Sequence, residues 1–581
     1  MSEPETAAMP SALRMRHPAS LLWAVWAASF ALVWILPTRT PPWPTFYAEA
    51  LMAACLLVAA AGVLCSGSGP PHSKHFVIDW AILALFSLAT VPLFHGAFGL
   101  LVFPDEALLQ CLYLVAFAMT YFISRSAWDR MSAGLIDRLW AGLVIASLIS
   151  AGLAIYQWLR IDTLGWLVSP VGILGRSDAN VGQPNNLATL LCWGLVGLWW
   201  GLFRSKLGGF VTVFGAGFLL VGIALTQSRT AWLMLAVFPA VLFLGHKALK
   251  GPSNWPAVLG LAVWFLSVQW ALSAVGEAIQ ASGLRDLSEQ LNVGTRPMIW
   301  QLAFDAIAAR PWSGFGWNQF LAARVDLIGQ YPAHPEIVSY AHNLLLDLLV
   351  WGGVIIGGTV LAGLVWWLWR QAHGAQTAEQ WLLLAGLGVL LVHAMLELPH
   401  AYAYFLLPAA AMAGTLAAMN PVAAFASVPR WSVGVGLFAM AASLVLLISE
   451  YGQIEAGDQR RRIAEAGIAS RGSSAVGGPL VLLRFVSEAE KLLRQRPSKG
   501  MRPEELTRWH EALTRYPVAS SLARFAQAAA VNGQFEESLW ALSVLCGLYG
   551  RQTCEAAATE WAEFTAQHPE ASSVTAPTSL R

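Results

Sequence analysis

Apolar runs of membrane-spanning length recur along the first 450 residues of this chain. An α-helix of about 17–25 apolar residues crosses the hydrocarbon core of a bilayer. Hydrophobic residues make up 57% of the sequence and charged residues only 12%, whereas soluble domains carry roughly 25% charged residues. We predict an all-α polytopic membrane domain over residues 1–450 with about thirteen transmembrane helices. The runs lie at 20–37, 46–66, 76–94, 107–124, 139–158, 187–203, 209–225, 231–246, 255–275, 343–369, 381–397, 401–419 and 431–448.

The distribution of lysine and arginine orients these helices, because cytoplasmic loops carry an excess of both. With the N-terminus in the cytoplasm, the outside loops carry only Arg39, Arg160, Arg176 and Arg229 before residue 276. This orientation places a long polar loop, residues 276–340, and everything after residue 450 outside. The predicted cytoplasmic loops hold most of the basic residues: Arg14, Arg16, Lys74, Arg125, Arg130, Arg138, Arg204, Lys206, Lys247, Lys250, Arg370 and Arg430.

The composition becomes polar and alanine-rich after residue 450. Segments 480–493, 504–513, 521–530 and 536–548 have helical apolar spacing, and the last two flank Asn532-Gly533 like an antiparallel helix pair. We predict a helical, repeat-like domain over residues 451–570 and a disordered Ser/Thr/Pro-rich tail over 571–581. Cys546 and Cys554 are the cysteines of this part. An oxidising compartment would allow them to pair, and two unrelated thiols are the alternative.

Polar residues gather at three points of the predicted outside face. The first is the segment 176–186, which begins with Arg176 and contains Gln183 and Asn185. The second is the short turn 226–230 around Arg229. The third is the 276–340 loop, which carries Arg285, Arg296, Arg310 and Arg324 and leads to His342 where the next apolar run begins.

Each of these residues also has an ordinary structural interpretation. Asn185 is equally suited to cap a helix, Arg229 could extend toward lipid headgroups, and a lone histidine at a helix start is often structural. Ionisable residues inside membrane bundles are nevertheless usually functional. The same applies to Glu397, which we expect to orient His342 or an arginine. Tyr402 lies close by in the sequence, and an interfacial tyrosine belt is the alternative for this segment.

Arginines with one histidine and few carboxylates suit the chemistry of phosphate. Guanidinium groups bind phosphate oxygens in bidentate fashion, so we expect Arg229 and Arg296 to hold a pyrophosphate and stabilise charge as a bond breaks. A neutral His342 would deprotonate an incoming hydroxyl. The sequence has neither metal-ligand spacing nor a phosphate-binding loop of the Walker type. It therefore predicts a reaction without metal or cofactor, driven by an activated lipid-linked donor.

These motifs resemble the bacterial O-antigen ligase-like superfamily of polytopic glycosyltransferases, and most closely its PglL-type protein O-oligosaccharyltransferases. The resemblance rests on residues 182–188, 228–230, 296–300 and 311–318 and on His342-Asn343. Residues 393–405, which include Glu397 and Tyr402, are typical of the protein-glycosylating branch, as is the tail with its two cysteines.

The resemblance implies transfer of an oligosaccharide from undecaprenyl pyrophosphate to a Ser or Thr of a periplasmic or pilin-like protein. The reaction would be inverting and metal-independent. It would take place on the periplasmic face of the bacterial inner membrane. Membrane lipids would be further partners, and nucleic acid would not. An O-antigen ligase acting on lipid A-core, an O-antigen polymerase, a lipid-linked sugar transporter and a non-catalytic scaffold are the alternatives. In the implied site, His342 is the base, Arg229 and Arg296 bind the pyrophosphate, and Arg176, Gln183 and Asn185 shape the donor site.

Overall fold

Helices form most of the regular structure in the computed structural model, which describes residues 18–65, 75–170, 175–249, 255–278, 295–333, 337–466 and 480–575. The elements up to residue 278 are α1 (Pro18–Ile35), α2 (Phe46–Cys65), β1 (His75–Asp79), α3 (Trp80–Ala89), α4 (Val91–Ala97), α5 (Glu106–Met131), α6 (Gly134–Trp158), α7 (Pro184–Phe203), α8 (Gly209–Leu225), α9 (Arg229–Leu235), α10 (Val237–Leu244) and α11 (Trp255–Ala278). Those that follow are α12 (Arg296–Ala309), α13 (Phe320–Asp326), α14 (Leu344–His373), α15 (Ala378–Ala394), α16 (Ala403–Met419), β2 (Ala424–Pro429), α17 (Arg430–Glu465), α18 (Arg484–Leu493), α19 (Pro503–Arg515), α20 (Ala519–Val531), α21 (Phe535–Tyr549) and α22 (Arg551–Gln567).

Within the described ranges, eight helical segments are long and apolar enough to cross a membrane, as judged by length and composition. Five shorter apolar helices accompany them: Val25–Ile35, Gly209–Leu225, Arg229–Leu244, Ala378–Ala394 and Ala403–Met419. The structure thus agrees with a mostly helical membrane protein, and the number of thirteen spans stays a prediction. The eight longer segments are Phe46–Cys65, Trp80–Ala97, Glu106–Met131, Gly134–Trp158, Pro184–Phe203, Trp255–Gly276, Leu344–His373 and Arg430–Ala464.

A small antiparallel sheet departs from the all-α prediction. Strand β1 pairs with β2, with His75 opposite Pro429, so the run predicted as one helix over 76–94 begins as a strand. Asp79 ends the strand and caps α3 by accepting a hydrogen bond from the amide of Ile82 at 2.9 Å. The same buried carboxylate lies 2.8 Å from Nε of Arg125. Because β1 is itself apolar, hydropathy alone does not distinguish it from the helix that follows.

The charged residues at the helix ends form two groups, one at each end of the bundle. One end of the bundle collects the starts of α7, α9, α14 and α16 and the end of α15. The opposite end holds β1, β2 and several arginines bound to acidic side chains or backbone carbonyls. Arg204, for example, lies 3.4 Å from Asp137, and Arg370 donates to the carbonyl of Pro421 at 2.6 Å. The bundle therefore has a basic end, and this end lies opposite the loops that the sequence predicts to be outside.

Helix α14 is interrupted where a turn of the preceding loop packs against it. Gly353 has φ +60° inside the helix, and the helix carbonyls freed nearby are used by the 311–316 turn. Phe315 N donates to Val350 O at 2.8 Å, and Val354 N donates to Pro311 O at 2.7 Å. A Cβ on Gly353 would lie 2.3 Å from the carbonyl oxygen of Trp312. This contact fixes the loop against α14 close to its N-terminal end.

The C-terminal helices α18–α22 form a second hydrophobic cluster that includes Trp509, Phe525 and Leu545. The sulfurs of Cys546 and Cys554 are joined in a disulfide between α21 and α22. We expected disorder from residue 571, but Ala571 and Val574 are buried. The indole of Trp561 donates to the carbonyl of Val574 at 3.0 Å, and this contact orders the chain there. Residues 576–581 of the predicted tail lie outside the described residues.

Candidate active site

Glu397 joins three of the residues that the sequence singled out. Its Oε2 lies 3.7 Å from Nε2 of His342. Its Oε1 accepts hydrogen bonds from Arg296 and from Nδ2 of Asn185, the latter at 3.1 Å. His342 lies just before α14, Arg296 begins α12, Asn185 is in the first turn of α7, and Glu397 follows α15. Four helix ends therefore meet at one carboxylate, which is only 14% exposed.

The imidazole of His342 is held in one tautomer. Its Nδ1 lies 3.1 Å from the carbonyl oxygen of Tyr340. Because a carbonyl can only accept a hydrogen bond, Nδ1 carries the hydrogen. In the neutral ring the lone pair is then on Nε2, the nitrogen that faces Glu397. His342 also has φ +54°. This backbone conformation is uncommon for a residue other than glycine, and such residues cluster at functional sites.

A second carboxylate fixes the backbone around His342. Oδ1 of Asp347 accepts a hydrogen bond from the amide of Ala341 at 2.7 Å, and its Oδ2 lies 3.3 Å from Nε2 of His400. On the other side of His342, Nδ2 of Asn343 donates across to a carbonyl at the end of α15 at 3.2 Å. The residues on both sides of His342 are therefore tied down, which is what an imidazole needs to act from a fixed position.

Asn185 extends this set of contacts toward two more loops. Its Oδ1 accepts hydrogen bonds from Oγ of Ser228 at 2.6 Å and from Nη2 of Arg176 at 3.3 Å. Nε of Arg176 also donates to the carbonyl of Thr226 at 2.9 Å. Arg229 follows Ser228 at the first position of α9 and is half-buried. Its side chain therefore projects from the same turn as Ser228, which contacts Asn185.

Gln183 and Tyr402, both expected in the site, lie at its margin. Gln183 is the N-cap of α7, and its Oε1 accepts a hydrogen bond from the amide of Asn186 at 2.7 Å. It caps the helix that presents Asn185, and its expected role in shaping the donor site stays a prediction. Tyr402 stacks on Tyr404, with ring centroids 5.2 Å apart and planes 13° from parallel.

The remaining arginines of the 276–340 loop differ in their surroundings. Arg310 is 2.8 Å from Asp326 at the surface and lies over the ring of Phe315. Arg324 is buried. Arg285 lies outside the described residues. Of this loop's arginines in the described ranges, Arg296 is the one that contacts Glu397.

The structure adds residues that sequence reasoning passed over. Asp347 and Glu49 are buried carboxylates inside apolar runs, a signal that the sequence did contain, since such residues are usually functional in membranes. Arg39 was noted only as a loop residue. A Cβ on Gly182, which has φ +69°, would lie 1.9 Å from Cζ of Arg39. Glycine therefore permits the guanidinium to lie against the 176–186 backbone, a relationship that the sequence alone does not reveal.

The arrangement offers three chemical capabilities. His342 has a basic nitrogen, Glu397 can stabilise the imidazolium formed when that nitrogen takes a proton, and the guanidinium groups of Arg296 and Arg176 can receive an anion. The described part of the chain contains no group of three His, Cys, Asp or Glu residues placed to hold a metal ion.

Two family models match parts of this chain. Residues 214–361 match the family described as O-Antigen ligase, and residues 381–563 match the family described as Virulence factor membrane-bound polymerase, C-terminal. The first match contains Arg229, Arg296 and His342. The second contains Glu397 and runs on through the helices that hold Arg515.

Two curated proteins of Acinetobacter baylyi are similar to this chain. A general O-oligosaccharyltransferase is 29% identical over 559 residues, which cover 91% of this chain and 92% of the relative. A ComP-specific O-oligosaccharyltransferase is 27% identical over 246 residues, which cover 42% of this chain and 45% of that protein. With the two family matches and the site described above, these relatives identify the chain as a glycosyltransferase. It is similar to the O-antigen ligase-like superfamily, and within it to the PglL-type O-oligosaccharyltransferases.

Proposed function

We propose that this enzyme transfers an oligosaccharide from undecaprenyl pyrophosphate to the hydroxyl of a Ser or Thr in a periplasmic or pilin-like protein. The transfer inverts the anomeric centre and needs no metal. The names of both relatives support an oligosaccharide transfer of this kind, and one of those names includes a specific protein, ComP. The observation that carries the proposal is the single carboxylate, Glu397, shared by His342, Arg296 and Asn185.

The chemical step begins at Nε2 of His342. This nitrogen takes the proton of the acceptor hydroxyl, whose oxygen then forms a bond to the anomeric carbon of the donor sugar. The bond between that carbon and the pyrophosphate oxygen breaks, and its electron pair leaves with the pyrophosphate. Attack opposite the leaving group inverts the configuration. Glu397, 3.7 Å away, stabilises the imidazolium that forms.

Arginines act on the other side of the bond that breaks. Negative charge grows on the leaving pyrophosphate, and guanidinium groups stabilise it through paired hydrogen bonds. We assign these donors to Arg296 and Arg229. Arg176 is held by hydrogen bonds to Thr226 and Asn185 and adds a third guanidinium group. Glu397 contacts both Arg296 and His342, so it keeps the base and the pyrophosphate clamp in register.

The same proposal covers topology and domain organisation. The site lies at one end of the bundle, whereas Arg125, Arg204 and Arg370 lie at the other. An excess of basic residues marks the cytoplasmic side, so we assign the site to the periplasmic face of the inner membrane. Residues 1–450 would form the membrane domain, and 451–570 a periplasmic helical domain that receives the acceptor protein.

Transfer by the purified full-length protein in detergent tests this function. The donor is undecaprenyl-pyrophosphate oligosaccharide, and a Ser-containing pilin-type protein and lipid A-core are offered as parallel acceptors, with and without EDTA. We expect glycosylated pilin, unchanged by EDTA and lost in His342→Ala. Glycan on lipid A-core alone would make the enzyme a ligase, and transfer to neither acceptor would overturn the proposal.

A further inference from the structure

A cleft of about 710 Å³ opens beside the active site, between the end of α1 and the loop that follows α6. Small-molecule sites commonly have volumes of about 300–1,000 Å³. Arg39, Tyr156, Arg160, Asp162 and Trp166 are among the residues that line it. The indole of Trp166 is 82% exposed, so its apolar face is accessible to a ligand bound in the cleft. No step proposed above uses this cleft.

Hydrogen bonds build the wall of the cleft. The hydroxyl of Tyr156 accepts hydrogen bonds from the amides of Thr163 at 2.5 Å and of Leu164 at 2.7 Å, which orders the turn just before Trp166. Nδ2 of Asn180 donates to the carbonyl of Leu167 at 2.8 Å, just after Trp166. Hydrogen bonds therefore hold the backbone on both sides of Trp166, so the fold determines where its indole lies.

The wall of the cleft and the active site share one segment of chain. Gly175 lines the cleft, and the next residue, Arg176, donates to Asn185, which binds Glu397. Nε of Arg39, from the opposite wall, donates to the carbonyl of Asn180 at 3.3 Å. The cleft wall thus includes Gly175, and the segment that follows directly in the chain, 176–186, carries the contacts with Glu397. A molecule bound at Arg176 could extend into the cleft.

Within the proposed function, we infer that this cleft binds the distal sugars of the donor oligosaccharide. An exposed indole face suits the apolar face of a pyranose ring, and the guanidinium groups and the carboxylate of Asp162 suit sugar hydroxyls. The pyrophosphate would lie at the arginines around Asn185, the first sugar at His342, and the following sugars along Trp166. The cleft then selects donors by the length and composition of their glycan.

The test compares two donors, undecaprenyl pyrophosphate carrying the full oligosaccharide and the same lipid carrying one sugar. We expect Trp166→Ala to raise the KM for the oligosaccharide donor about tenfold with kcat unchanged. The kinetics with the one-sugar donor should remain those of the wild type, which also demonstrates that the variant is folded. Tyr156→Phe should act in the same direction, because it releases the turn before Trp166. Leu167→Ala, adjacent to Trp166 in the chain but outside the cleft lining, is the matched control.

Equal effects on both donors, or no effect on either, would overturn the inference. Equal effects would instead make Trp166 an anchor in the lipid headgroup region, where tryptophan is common. If wild-type protein transfers neither donor, the proposed function fails. Calorimetry of the free oligosaccharide with the wild type and with Trp166→Ala then tests glycan binding in the cleft independently of transfer. Binding by the wild type that Trp166→Ala weakens supports it, and equal or absent binding overturns it.

Discussion

Arg515 of the C-terminal helices lies against Glu106 at the start of α5, with Nη2 2.6 Å from Oε1 and Nε 3.2 Å from Oε2. Both side chains are buried, at 8% and 5% exposure. Burial opposes the charge on Arg515, but the carboxylate of Glu106 outweighs it and raises the pKa of Arg515. Nε2 of Gln319, just before α13, donates to the same carboxylate at 3.3 Å. This ion pair connects the C-terminal helices to the bundle and, through the contact of Gln319 with Glu106, to the 276–340 loop.

Removing one partner of this pair should loosen the C-terminal helices. Arg515→Met leaves a buried carboxylate without its cation, which costs about 3–5 kcal/mol. We expect a lower melting temperature and faster proteolysis after residue 480. Adding Glu106→Gln should recover most of the loss, because no buried charge then remains. A single variant that melts and is cleaved like the wild type would show that the pair does not hold the helices in place.

Neutralising Glu397 should slow transfer while leaving the shape of its side chain unchanged. In Glu397→Gln the amide oxygen can still accept from Asn185, but the charge that stabilises protonated His342 and aligns Arg296 is gone. We expect kcat to fall by about 10²–10³, as for other preorganised polar groups in active sites. Glu379→Gln is the matched control, because Glu379 begins α15 at the far end of the bundle and lies 3.5 Å from Arg204. Equal kcat values for the two variants would remove Glu397 from the mechanism.

The sequence predicted which residues lie at the candidate site better than it predicted how they contact one another. His342, Arg296 and Asn185 could be predicted because each is polar where an apolar run starts or a polar loop begins. Their common contact with Glu397 could not, because it depends on how four helix ends pack. Asp347 has a sequence signal, because it is a carboxylate inside an apolar run. Its contacts with a backbone amide and with His400 could not be predicted, because neither leaves a sequence pattern. Strand β1 was missed because its apolar composition is that of the helix that follows it.

Replacing Arg296 with lysine should weaken donor binding, although the positive charge is kept. Lysine lacks the planar fork that binds two oxygens at once, so it cannot contact Glu397 and a pyrophosphate as arginine does. We expect the KM for the lipid-linked donor to rise at least tenfold and the KM for the acceptor to stay unchanged. Arg310→Lys controls for the loop itself, because Arg310 pairs with Asp326 at the surface. A higher acceptor KM with an unchanged donor KM would contradict the proposed role.

The disulfide between Cys546 and Cys554 makes the location of the C-terminal helices testable. It closes a short loop, with the two cysteines 8 positions apart, and loops of this size are stabilised by about 2–3 kcal/mol in the chain-entropy account. We expect Cys554→Ala to lower the melting temperature of this part while leaving transfer activity largely intact. If these helices lie in an oxidising periplasm, as proposed, the disulfide keeps both thiols blocked in cells. Both should therefore resist a membrane-impermeant alkylating reagent until a reductant is added. Alkylation only after the inner membrane is permeabilised, without reductant, would instead place these helices in the cytoplasm and reverse the orientation of the whole chain.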